Sequence, residues 1–164
     1  MAIDAGRSQG LNVRNGADMV LKRAAELSGK RIDGLETLES QFSMFNRLPP
    51  APAAAPANAK AGAAPEANDP AMQELSHTMT EMQAAWNQGD QAVFVRMLDQ
   101  LSHASPLTYR LMFTDRNARW ADWIAARLDA PGSVFVAVGA GHFAGRDSVL
   151  VRLAEKGIES QRLN

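Results

Sequence analysis

Residues 133–145 read SVFVAVGAGHFAG: an apolar, largely β-branched run from Ser133 to Val138 that enters a glycine-rich turn carrying one histidine, His142. A run of that kind without polar alternation is the pattern of a strand covered on both faces. It predicts a buried strand, a sharp turn, and then a helix over Arg146 to Lys156 with Val149, Leu150 and Leu153 inward. Gly157 stops that helix, and Ile158 to Leu163 is expected to form a closing strand.

Working backward, Asp115 to Leu128 carries Trp120, Ile124 and Leu128 at helical spacing, and Pro131-Gly132 breaks it. Asp90 is placed to cap a helix whose stripe is Phe94, Met97, Leu98 and Leu101. Before the Gln88-Gly89-Asp90 turn, Asp69-Pro70 opens a helix with Met72, Leu75, Met79, Met82 and Trp86 on one side, which predicts an antiparallel helical pair. Nearer the start, Ala17 to Ser28 reads as a helix stopped by Gly29, and Lys30 to Gly34 as a short strand. Leu35, Leu38, Phe42 and Phe45 then recur as the core-facing side of a helix that ends at Pro49. Strands interleaved with helices predict an α/β fold, a small mixed sheet flanked by many helices.

Pro49 to Pro70, PPAPAAAPANAKAGAAPEANDP, holds ten alanines and six of the eight prolines and no aromatic or branched aliphatic residue. Proline every few residues removes donors and clashes with the preceding turn. The segment is expected to be a linker or long surface insertion, the alternative being a docked arm. The chain is thus divided into 1–48, an N-terminal part of the domain, the insertion 49–70, and 71–164, which completes the same domain.

Seventeen basic and eighteen acidic residues, a net charge of −1 and a pI near 6.3 give no basic stripe, so nucleic acid and anionic membranes are not expected partners. No apolar run is long enough to span a membrane, and the opening MAIDAGRSQG is not a signal segment. With no cysteine, any metal would need histidine and carboxylate ligands, and His77, His103 and His142 are the only histidines. His77 and His103 have no carboxylate–histidine spacing around them and are read as structural or solvent-exposed.

Three places can carry chemistry. Gly139, Gly141 and Gly145 let the backbone turn at a strand end, where His142 is either a metal or proton-handling group or a satisfied structural histidine. The G-x-G-x-x-x-G spacing is related to the dinucleotide fingerprint but lacks the βαβ unit that should follow. Arg116 and Asn117, with Trp120, either position a substrate carboxylate or carbonyl or form a solvated first turn. Glu36 follows the short strand and shares helical spacing with Glu39, as metal ligands or a general base would, or it complements the helix dipole.

Taken in order, GKRIDGLETLESQ, RNARWADWI and FVAVGAGHFAGRDSVLVRLAEKGIE resemble the TraB/GumN family, whose animal relatives are the Tiki proteins. That family looks related to the erythromycin-esterase and ChaN-like folds. The resemblance implies a metal-dependent hydrolase of peptide or related amide bonds, with manganese or cobalt as cofactor and a peptide or protein as substrate. By the same resemblance His142 and Glu36 are metal-ligand and catalytic candidates, and Arg116 and Asn117 catalytic and substrate-binding ones. The family's first Gly-x-x-His has no counterpart here, since among twelve glycines only Gly139 has a histidine three residues on. The chain is therefore expected to be the C-terminal part of such a protein, N-terminally truncated, with a non-catalytic fold-keeping module as the alternative. The compartment stays open, periplasm or cell envelope if a signal segment precedes it. Missing strands would expose a sheet edge and an apolar face, so a homo-oligomer is expected.

Overall fold

A computed structural model describes residues 16–49 and 70–163. The expected insertion, except Pro49 and Pro70, and the first fifteen residues lie outside the described residues. The described chain forms two compact units, residues 16–33 with 70–88 and residues 34–49 with 89–163.

The first unit holds α1 (Ala17–Leu27) and α3 (Pro70–Gln88). Gly29, at φ +62°, turns the chain out of α1, where Lys30 N donates to Ala25 O at 2.9 Å and satisfies a helix-end carbonyl. α3 ends at Gln88, the first residue of the predicted turn.

The second unit begins with α2 (Leu38–Arg47), started by Thr37: its hydroxyl accepts from Ser40 N at 3.1 Å while Ser40 Oγ donates back to Thr37 O. α4 (Ala92–Ala104) is opened by Asp90, whose carboxylate accepts from Ala92 N at 2.8 Å. Then come a single turn, α5 (Pro106–Tyr109), a π-helical turn (Arg110–Thr114) and α6 (Asp115–Leu128), which follow one another without a break. Neither α5 nor the π turn is legible in the apolar spacing. A 3₁₀ turn (Ala140–Phe143) and α7 (Val149–Ala154) complete the unit. α7 is capped by Ser148, which accepts from Val151 N, and it is shorter than the predicted Arg146–Lys156.

Its core lies between α6 and α7: Trp120 and Ala121 meet Val149 and Leu153, with Leu35, Ile124, Val138 and Ile158 packed around them. Lys156 ties α7 to α6 through Asp122 at 2.6 Å. Burying side chains of this size contributes roughly 1.5–3 kcal/mol each, so this seam holds the unit together.

The predicted α/β fold is not what forms. Among the described residues there is no strand and no sheet. The segments expected to be strands, 30–34, 133–138 and 158–163, have no ladder partner, and a strand without one leaves its backbone groups to water. SVFVAV is not covered on both faces: Phe135 is 77% exposed and Val134 is exposed, while Val136 and Val138 are half-buried. The inward face predicted for α2 also differs. Leu38, Phe42 and Phe45 are exposed, and Met44 is the residue buried. No helix among the described residues is long and apolar enough to cross a membrane.

Candidate functional site

The site lies in the second unit and is assembled by α6. Arg116 and Asn117 are consecutive on that helix, so their side chains point about 100° apart and engage different segments. Arg116 reaches Glu36, and Asn117 reaches the His142 turn.

Glu36 precedes the α2 cap, so it does not share a helix face with Glu39. Gly34 permits the tight bend that places it, because a Cβ there would come within 2.9 Å of the Glu36 carbonyl oxygen. The Glu36 side chain is 7% exposed. Arg116 Nε donates to its two oxygens at 3.0 and 3.1 Å, and Arg116 Nη2 lies 2.9 Å from Oε2. Arg119 Nη2 adds a contact to Oε1 at 3.3 Å. Burial alone would push the Glu36 carboxyl up, but the bonds and charges of Arg116 and Arg119 outweigh it and hold it below the usual carboxylate value. Arg116 is itself anchored by donating to Met112 O at 3.2 Å and by lying 4.7 Å over the Trp120 ring.

Asn117 is 1% exposed. Its amide nitrogen donates to Asp147 O at 2.7 Å, and its oxygen lies 2.6 Å from His142 Nδ1. His142 is 9% exposed, with its ring centroid 4.5 Å from that of Trp120 and 5.0 Å from that of Phe113. Burial first, and the Arg116 charge second, push its pKa from 6.5 to about 4, with Glu36 acting the other way. The imidazole is neutral at ordinary pH. Asp147, which offers the carbonyl, is held by its own carboxylate: Tyr109 Oη donates to it at 2.9 Å, and Arg152 and Arg146 pair with it.

Of the turn glycines, Gly145 has φ +78°, a conformation that disfavours a side chain. Gly141 backs onto the Phe113 ring, and Gly139 accepts from His142 N to close the 3₁₀ turn. The other histidines are far more exposed: His77 lies 4.0 Å from Glu81 on α3, and His103 Nδ1 lies 2.8 Å from Asp99 O on α4. Arg119, Tyr109, Phe113 and Asp147 join the site without having been read from the sequence. Arg119 was readable in principle, three residues after Arg116 on the same helix face.

Two atoms groups could serve a divalent metal, the His142 Nε2 nitrogen and the Glu36 carboxylate. Nε2 has no hydrogen-bond partner among the described residues. Glu36 is already engaged by two guanidinium groups, whose combined charge opposes a dication. Catalytic zinc-type sites keep three protein ligands, and among the described residues no group of three or more histidine, aspartate or glutamate side chains gathers. These residues by themselves do not fit a resident catalytic metal.

A shallow cleft adjoins the ion pair, lined by Ser40, Ser43, Met44 and Arg47 of α2 and by Leu111, Asp115 and Arg119. No curated protein and no solved structure matches this sequence. A sequence profile of the TraB/PrgY/gumN family matches residues 1–162, nearly the whole chain, and the chain belongs to that family.

Proposed function

We propose that this chain is a non-catalytic member of its family, one that keeps part of the polar framework of a hydrolytic site for peptide or related amide bonds and works by association, a second copy of itself being the partner. One observation supports the reading above others: the Glu36 carboxylate and the Asn117 amide, on which hydrolysis would draw, are committed within the protein. The Glu36 carboxylate is bound by Arg116 and Arg119, and both ends of the Asn117 amide are taken. A general base works best with a pKa near the operating pH. Glu36 is held low and His142 sits at about 4, so each is a weak proton acceptor at neutral pH.

A second reading, metal-dependent hydrolysis of peptide bonds, is favoured by His142 Nε2, a neutral nitrogen without a partner among the described residues. It would require further ligands from another chain. The test is incubation of the purified 164-residue protein with a peptide library, with and without manganese or cobalt, and detection of cleavage by mass spectrometry. No cleavage is expected. Cleavage abolished by a chelator and by His142→Ala would overturn the non-catalytic reading and establish the second.

A further inference from the structure

We infer that Asn117 is a positioning residue that selects the tautomer of His142, so that Nδ1 carries the ring proton and Nε2 presents the lone pair. The inference holds whether or not the chain turns over a substrate.

Asp147 fixes the orientation of the Asn117 amide. The Asp147 backbone carbonyl can only accept, and it takes the Asn117 Nδ2–H at 2.7 Å. Turning the amide over would set two oxygens against each other, so the amide has one allowed orientation. Its oxygen therefore faces His142 Nδ1 at 2.6 Å. An amide oxygen also only accepts, which requires Nδ1 to be the protonated nitrogen. In a neutral imidazole the other nitrogen is then the acceptor. Burial makes the choice firm, because reversing the tautomer would leave two lone pairs opposed in a water-poor place, with Asn117 at 1% exposure.

The anchor is itself braced. Tyr109 and Arg152 hold the Asp147 carboxylate, and the next residue, Ser148, caps α7. An imidazole held this way offers an acceptor at Nε2. It is complementary to a hydrogen-bond donor or a cation, and not to a carbonyl oxygen. The arrangement is the one by which an outer amide or carboxylate orients a functional histidine.

The experiment is long-range proton–nitrogen correlation of the imidazole nitrogens on the full chain at pH 7, with the His142 signals assigned by their loss in His142→Gln. A protonated Nδ1 shift and an unprotonated Nε2 shift are expected in the wild-type protein. Asn117→Leu, which removes the acceptor facing Nδ1, is expected to shift the population toward the Nε2-protonated form. A wild-type His142 with its proton on Nε2 would overturn the inference even if Asn117→Leu does not fold, as would an unchanged pattern in a folded Asn117→Leu.

Discussion

At His142 a single ring reports on the whole site through pH. Its pKa falls from 6.5 to about 4 on folding, mainly through burial. Between those values the unfolded chain binds the proton that the folded chain refuses. Stability is therefore fully present above pH 6.5 and is lost as pH falls, by about 2 kcal/mol at pH 5 and about 3 kcal/mol near pH 4. Glu36 acts in the same direction over a lower window, because its folded pKa lies below 4.5: the stability it contributes is present above that value and is lost as pH falls further. Thermal melts should show a falling Tm from pH 7 to pH 5, and His142→Gln should flatten that slope. A wild-type Tm that does not move over this range would show that His142 is not buried neutral. Glu36→Gln leaves the Arg116 guanidinium, 16% exposed, without its counter-charge and should cost about 3 kcal/mol in urea unfolding. Arg119→Gln, at a side chain 58% exposed, should cost under about 1 kcal/mol. A loss at Arg119→Gln as large as that at Glu36→Gln would overturn the place of Arg119 as the minor partner of the carboxylate.

At the scale of elements, what the sequence disclosed depended on whether the signal was local. Caps and stops are local: Asp90 starts a helix and Gly29 stops one as expected, whereas the caps at Thr37 and Ser148 are seen only in the structure, and the long helices lie close to where the 3.6-residue period puts them. Three separated segments of the candidate site were also readable as candidates, at Glu36, at Arg116 with Asn117, and at His142, because glycine turns and polar pairs stand out against apolar stripes. The strands failed because a strand is not a local object. SVFVAV has the composition of one, but composition supplies no ladder partner, and among the described residues none is present. The π-helical turn at Arg110–Thr114 failed for a related reason. It adds a residue to one helical turn and so re-aims Arg116 and Asn117 relative to α5, a rotation that no periodicity records. Phe135 in a doubly covered strand would cost about 3–5 kcal/mol on truncation, whereas a side chain 77% exposed should tolerate Phe135→Lys within about 0.5 kcal/mol. A loss above 2 kcal/mol in chemical denaturation would reinstate a packed role for that run.

For the molecule as a whole, the apolar residues that periodicity directs inward are in part outside. Leu38, Phe42 and Phe45 of α2 form one exposed stripe, with Phe42 66% exposed, and in the other unit Met19, Val20 and Leu27 of α1 are exposed as well. Helical periodicity identifies an apolar face but not what covers it, which is why α2 was legible as an element and not as a packing partner. With 17 basic and 18 acidic residues the net charge of −1 supplies little repulsion between copies. Covering the three α2 side chains on each of two copies would contribute roughly 1.5–3 kcal/mol apiece, about 9–18 kcal/mol in all, against an association cost of about 4–15 kcal/mol, and the mid-range surplus of about 4 kcal/mol corresponds to a self-complementary contact near the millimolar range. Multi-angle light scattering on the full chain should therefore show association that grows with concentration from about a hundred micromolar to about a millimolar. The double substitution Phe42→Glu with Phe45→Glu should return a monomer with unchanged helical circular dichroism, since neither side chain is buried. A wild-type protein that stays monomeric throughout would remove self-association from the proposed function, and a double variant that associates as before would move the contact away from α2.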